Sequence, residues 1–246
     1  MSEHTIIVPV DGASNIKLEV FDFETLECIN SVSAPTPIST VGGLAYNDTG
    51  TEFAWFEDMI RSLPERLRHA AVVAPVARGA SGGLVGHDDT LCEEPGEELA
   101  LAYTQQYPGE VEDRFRDIAG SPEAFFAETG SIRDFPGSLT LLKRFVFEEI
   151  ARPDVLARAA AFATYGALMT GRFIGDYLHA WRGSGNEHSY WMCHTGARDI
   201  RNEPGTPSAA ARRIPSFARL VPPEPSVAYR TAGTVPENRA RMLGIP

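Results

Sequence analysis

The sequence predicts an α/β fold, and three segments carry that prediction. Residues 16–23 alternate apolar and polar side chains with a period of two, the pattern of a half-buried strand. Residues 70–77 form a continuous apolar run of strand length, which reads as a strand buried on both faces. Between them, Phe56, Met59, Ile60, Leu63 and Leu67 recur at three- and four-residue spacing, the apolar stripe of a helix over residues 53–69.

The remaining elements follow in order. Thr5-Ile6-Ile7-Val8-Pro9-Val10 is a β-branched run, and Asp11-Gly12-Ala13-Ser14-Asn15 has turn chemistry. With a third strand over residues 26–32, these make an antiparallel meander. Pro9 removes a ladder donor and points to an edge strand or a bulge. Pro64 predicts a kink or break in the first helix. Residues 84–86 and 90–92, separated by His87-Asp88-Asp89, read as a short hairpin. From Glu112 onward the chain turns mainly helical. Ser121 caps a helix with Pro122 at its first position, and further helices are expected over 139–150 and, after Pro153, over 154–162. Residues 183–207 read as loop, and 208–214 and 236–243 as brief helices. The expectation is one domain over 1–246, with a mixed-sheet part over 1–110 and a mainly helical part over 111–246.

Composition excludes several classes. At 43% hydrophobic with 13 Phe, 7 Tyr and 3 Trp, the chain is too apolar and aromatic for disorder. No stretch approaches the ~18–20 apolar residues that a membrane span requires. Met1-Ser2-Glu3-His4 lacks the basic start of a secretory signal, and Cys28, Cys92 and Cys193 give neither a zinc pattern nor an even disulfide set. A reduced, cytoplasmic setting is expected. With 22 Lys and Arg against 33 Asp and Glu, the formal charge is −11. Nucleic-acid binding is not expected of such a chain, because it rests on basic groups displacing phosphate counterions. A phosphorylated small molecule, held by a few local donors, stays possible.

The turn Asp11–Lys17 is the most informative site candidate. Small residues there expose backbone N–H groups to a phosphate, a carboxylate at a strand end can hold Mg²⁺ through water, and hydroxyl and ammonium groups add donors. An ordinary hairpin turn has the same composition. Gly79-Ala80-Ser81-Gly82-Gly83 satisfies Gly-x-Ser-x-Gly in form, yet the residues after Ser81 predict a hairpin where a nucleophile elbow needs a helix. The other reading is a glycine-rich loop at the carboxyl end of a strand, where open α/β sheets bind ligands. His179, His188, Cys193 and His194 have no metal-ligand spacing and read as surface loop residues. Glu93-Glu94 and Glu97-Glu98 read as a solvated acidic run.

In their order along the chain, these landmarks resemble the N-terminal domain of the FGGY carbohydrate kinase family, of the actin-like ATPase (ribonuclease H-like) fold. Residues 6–22, with Gly12-Ala13-Ser14 and Lys17, resemble the opening strand, phosphate turn and second strand. Residues 72–83 and the following hairpin resemble the strand and sugar-facing loop. Thr129-Gly130, Pro136, Leu141-Leu142-Lys143, Leu168-Met169-Thr170-Gly171, the run His194–Asp199, Ile214-Pro215, Leu220-Val221-Pro222 and Gly233-Thr234-Val235 resemble later family segments. The resemblance implies transfer of the ATP γ-phosphate, with Mg²⁺, to a sugar or polyol hydroxyl. By it, Asp11, Gly12, Ser14, Asn15 and Lys17 face phosphate, with Asp11 toward the metal. Arg78, Ser81 and Tyr103 line the sugar side.

Two departures accompany it. The family's base-bearing Asp and nucleotide-binding domain follow the point corresponding to Pro246, so the resemblance implies a C-terminal lobe as partner, or self-association, and no activity for this chain alone. Aligning Gly12 and Lys17 puts Val10 at the family's Asp position and Asp11 one residue late. One residue along a strand reverses the face of a side chain, unless Pro9 makes a bulge. The alternative function is therefore a kinase-like domain that binds a sugar or a partner without catalysis.

Overall fold

The computed structural model describes residues 4–79, 81–135, 137, 140–183, 196–201, 206–221 and 231–245. Its central sheet begins with the expected meander. Strands β1 (Thr5–Asp11), β2 (Asn15–Asp22) and β3 (Cys28–Pro35) pair antiparallel. Leu26 lies outside the third strand, in a turn with positive φ, and is exposed. Helix α1 (Thr49–Ser62) then leads through the short α2 (Glu65–Arg68) to β6 (Ala70–Val73) and β7 (Val76–Ala77), both parallel to β1. The sheet order is β3-β2-β1-β6, with β7 also beside β1, and the mixed sheet with its helices is the architecture expected of an actin-like domain.

Pro9 therefore sits in a central strand, contrary to the edge or bulge its chemistry suggests. The register to β2 runs unbroken from Thr5↔Asp22 to Asp11↔Ile16. Gly12 N–H donates to Asn15 O at 3.1 Å, which makes Val10↔Lys17 and Val8↔Glu19 the bonded pairs and turns the Pro9 nitrogen away from β2. It faces the opposite neighbour where β6 has ended at Val73 and β7 has not begun. No ladder donor is required there.

Residues 70–77 also depart from expectation. They form two short strands at the sheet's edge, with Val72 43% and Val76 50% exposed, so this run is not buried on both faces. The other face of the sheet is closed. Ile7, Ile16, Leu18 and Val20 meet Phe53, Phe56 and Ile60 of α1, Leu63 just past its end and Leu67 of α2 in one core. Pro64 separates the two helices, and the Asp48 side chain caps α1 by accepting from Thr51 N–H at 2.9 Å.

Two further sheets were not anticipated in full. Strands β4 (Ile38–Val41) and β5 (Leu44–Asp48) form a hairpin about Gly42 and Gly43, both at positive φ, and β5 pairs with β9 (Leu99–Leu101). Strand β8 (Gly82–Gly86) pairs antiparallel with β10 (Ala159–Thr164). The helix expected over 154–162 thus ends at Arg158, as α6 (Pro153–Arg158). Alanine favours a helix, but here the backbone ladder to β8 holds the segment as a strand. A β-carbon on Gly82 would lie 2.7 Å from the Phe162 ring.

The second half is helical: α3 (Gly109–Ala119), α4 (Pro122–Thr129), α5 (Leu141–Ala151), α7 (Tyr165–Ile174), α8 (Tyr177–Gly183), α9 (Ala209–Arg212), α10 (Pro215–Leu220) and α11 (Glu237–Leu243). Phe145 stands at its centre, with the Phe162 and Phe217 rings 5.1 and 5.2 Å away. The loop expected over 183–207 lies largely outside the described residues, as do His188, Cys193, His194, Pro136 and Leu139. Among the described residues no helix is long and apolar enough to cross a membrane.

Glu93 overturns the reading of an acidic surface run. It is 1% exposed and joins strands β8 and β9 to α5. One carboxylate oxygen accepts from Leu84 N–H at 3.0 Å and the other from Leu101 N–H at 2.9 Å. The guanidinium groups of Arg144 and Arg152 lie 2.8 and 3.2 Å away, and Glu148 pairs with both arginines. Removing one member of a buried ion network leaves uncompensated charge, at a cost of about 3–5 kcal/mol. Glu93→Ala is expected to lower the denaturant-derived stability by that order, whereas Glu97→Ala, at an exposed position, should change it by no more than about 0.5 kcal/mol. Equal effects of the two would refute the assignment.

Candidate functional site

The parallel strands β1 and β7 end side by side, and the site is built at their carboxyl ends. Their register brings Asp11 opposite Ala77, and Arg78 N–H donates to Asp11 O at 3.1 Å. The side chains then meet: Arg78 Nη2 donates to Asp11 Oδ1 at 2.7 Å. The Asp11 side chain is fully buried and that of Arg78 is 9% exposed. The guanidinium carbon lies 5.2 Å from the Tyr165 ring centre and 5.8 Å from that of Tyr103. Such cation–π contacts contribute ~0.5–2 kcal/mol each, more when desolvated.

Behind this pair stands Glu52, on α1 and 0% exposed. Its Oε2 accepts from the Tyr165 hydroxyl at 3.0 Å. Tyr165 opens α7, whose first turn is capped by Thr164, and its backbone N–H donates to Ser81 O at 2.9 Å. A single residue, through its backbone and its side chain, thus ties α1, α7 and the segment leading into β8 to Arg78. Asp11 Oδ2, Glu52 Oε1, Arg78 Nε and Ser81 Oγ are buried without hydrogen-bond partners among the described residues.

Burial pushes the Asp11 carboxyl up to about 6, against the pull of Arg78. Burial also raises Glu52, to about 8, with the negative charge of Asp11 adding to the rise and Tyr165 and Arg78 opposing it. At neutral pH the arrangement is an Asp11–Arg78 ion pair beside a largely protonated Glu52. The Tyr165 hydroxyl is held well above its ordinary range, by burial first and then by Glu52.

The structure brings Asp11, Arg78, Ser81 and Tyr103 to one end of the sheet and sets Lys17 apart. Asp11 shares a face with Ile16, toward α1; Lys17 pairs with Val10 on the opposite face and is exposed. Asp11 reaches the buried face by regular alternation, without a bulge against β2. Gly12, Ser14 and Asn15 form a tight hairpin. Gly12 spends its N–H on Asn15 O, a β-carbon there would lie 2.6 Å from that oxygen, and Thr36 Oγ1 donates to Gly12 O at 2.8 Å. Ser81 leads directly into β8, so no helix follows it and no nucleophile elbow forms. Ala80 lies outside the described residues.

As arranged, the Asp11 carboxylate is held by Arg78 and is not presented to a metal. The carboxylate is enclosed, and the described residues contain no cluster of three or more His, Cys, Asp or Glu able to hold a metal. His179 is exposed, with a ring nitrogen 3.0 Å from Ala232 O.

Glu52 and Tyr165 were absent from the sequence-derived site. Glu52 had a visible signal: it precedes Phe56 and Ile60 by four and eight residues, so a carboxylate stands on the apolar stripe of α1. Tyr165 had none, because its role depends on β10 ending where it does.

No protein-family model matches the chain, and no curated protein does. Solved structures do. A carbohydrate kinase from Novosphingobium aromaticivorans superposes with a TM-score of 0.78 at 22% identity, covering 100% of this chain and 47% of that one. The chain has the fold of the N-terminal half of carbohydrate kinases. A gluconate kinase from Lactobacillus acidophilus gives a TM-score of 0.72 at 14% identity, covering 99% and 46%. A xylulose kinase from Rhodospirillum rubrum gives 0.69 at 17%, covering 99% and 47%. The chain spans about half the length of these structures, and the fold is the one implied by its resemblance to the FGGY family.

The site's charge state yields a pH prediction. Both carboxyls titrate higher in the folded chain than in the unfolded one, so ionising them costs more when folded. Stability is therefore fully present below their ordinary carboxylate range and falls as pH rises through about 6 and 8. Denaturant unfolding at pH 5 and pH 9 should show a loss on the order of a few kcal/mol. Glu52→Gln, which cannot ionise, should remove much of that loss; an unchanged pH slope would show that Glu52 does not titrate in this range.

Proposed function

We propose that this chain is the N-terminal lobe of an ATP-dependent carbohydrate kinase that phosphorylates a sugar or polyol hydroxyl in the cytoplasm, acting with a C-terminal lobe. The observation that carries the reading is the meeting of Asp11 and Arg78 at the ends of two parallel strands, in a fold shared with carbohydrate kinases along nearly the whole chain. Carboxyl ends of such strands are where α/β sheets bind ligands. In this reading Arg78, Ser81 and Tyr103 face the sugar, and the hairpin of Gly12, Ser14 and Asn15, with Lys17 beyond it, faces the phosphates of ATP.

Phosphoryl transfer asks the protein mainly for positioning and charge stabilisation. Arg78, fixed by a carboxylate and two aromatic rings, can direct N–H donors at a hydroxyl without losing rotamer freedom on binding. Asp11 would turn toward magnesium-bound phosphate only after release from Arg78, so binding of phosphate and of sugar would be linked through this pair.

A second reading, sugar binding without catalysis, is favoured by the enclosure of Asp11 and the separation of Lys17. Calorimetric titration of the full chain with D-xylulose, D-gluconate and glycerol tests both. Binding of one of them is expected, weakened at least tenfold by Arg78→Ala. Sugar-dependent ADP release on adding the C-terminal half of a carbohydrate kinase would select the first reading, and binding with no turnover the second. No binding of any of the three would remove the support for both.

A further inference from the structure

We propose that Glu52 and Tyr165 act together as positioning residues for Arg78. Among the described residues the Arg78 guanidinium has one ionic partner, Asp11 Oδ1, and its Nε is buried without a hydrogen-bond partner. A single 2.7 Å contact fixes one end of a planar fork and leaves rotation about it. The remaining constraint is the Tyr165 ring at 5.2 Å, with Tyr103 more distant and partly exposed.

The ring can serve as a wall only if it is itself held. Its backbone is fixed at the first turn of α7 by the bond to Ser81 O, and its hydroxyl by Glu52 Oε2 at 3.0 Å. Glu52 has no exposed surface and does not reach the outside of the site, so it acts through Tyr165.

Glu52 Oε1 is buried without a partner, and Asp11 lies close enough to disfavour its charge. Glu52→Leu leaves the buried Tyr165 hydroxyl without its acceptor, which is destabilising whatever else Glu52 does. A positioning role predicts in addition a change at Arg78 that Tyr165→Phe reproduces and Glu52→Gln does not. That Arg78 in turn addresses a sugar rests on the proposed function; the geometry of Arg78 does not.

The test uses the ¹⁵N–¹H signal of Arg78 Nε in the full chain, assigned by its loss in Arg78→Lys. Enclosure beside an aromatic face should give a protected signal displaced from the exposed-arginine region. In Tyr165→Phe and Glu52→Leu it should move toward that region or broaden. Glu52→Gln, which keeps an acceptor oxygen for the tyrosine, should restore it. Thermal unfolding of each variant, measured in parallel, gives the stability it has lost. An Arg78 signal unchanged in both Tyr165→Phe and Glu52→Leu overturns the proposal. So does a signal lost only in proportion to lowered stability. Should Glu52→Leu fail to fold, Tyr165→Phe decides alone, since it removes one hydroxyl and no packing.

Sugar titration of the same variants separates the two levels. Affinity for the sugar that wild type binds should fall at least tenfold in Glu52→Leu and stay within about twofold in Glu52→Gln. If wild type binds none of the three sugars, the proposed function fails while the Arg78 signal still decides the positioning.

Discussion

A carboxylate with no exposed surface must be compensated where it lies, and Asp11 imposes that condition on the end of the central strand. Desolvation favours its neutral form, and only a cation in contact keeps it charged. Arg78 meets the condition because β7 runs parallel to β1 in a register that puts the two residues at adjacent strand ends. The interruption between β6 and β7 belongs to the same solution. It lets the partner strand resume beside Asp11, and it leaves space where Pro9 offers no donor. Everything nearest the site is arranged around that pair: the Tyr165 ring over the guanidinium, Glu52 behind the ring, and β8 beginning one residue after Ser81, which receives the tyrosine's backbone bond.

The second half of the chain follows the same principle with more partners. Glu93 satisfies two strand N–H groups and faces Arg144 of α5 and Arg152 just past its end, so β8, β9 and α5 are fixed relative to each other. An apolar side chain there could fill space but could not accept from both strands. Buried acids thus recur at joints between elements, while Phe145 and its neighbouring rings fill the interior. The two cores meet through β8 and β10, where Gly82 leaves room for the Phe162 ring.

For function, the fold indicates where ligands would be met, and the pairing of Asp11 with Arg78 indicates how. The carboxylate proposed to face phosphate and the arginine proposed to face a sugar engage each other, so a ligand that draws one away would change the environment of the other. The fully buried Glu52 offers a third member that adjusts the pair without touching a ligand. The two proposed readings, a kinase lobe and a sugar-binding lobe, rest on the same scaffold and differ in whether Asp11 would be released.

The sequence by itself determined the elements whose signals are local. The period of two in β2, the stripe of α1, its break at Pro64, the Ser121–Pro122 start of α4 and the order of family-like landmarks required no knowledge of neighbours. Tertiary structure decided what depends on contact. Residues 70–77 are apolar enough for a doubly buried strand, yet they lie at a sheet edge because no described strand pairs beyond them. The alanines of residues 159–164 prefer a helix, and the ladder to β8 outweighs that preference. Glu93 and Glu97 are indistinguishable as letters, and only the convergence of two strand N–H groups and two guanidinium groups makes one interior and the other solvated. Asp11 was legible as a candidate because turns and phosphate sites share composition. Its partners Arg78, Glu52 and Tyr165 lie 67, 41 and 154 residues away in sequence, and separations of that size carry no periodic signal, so only the folded chain could bring them together.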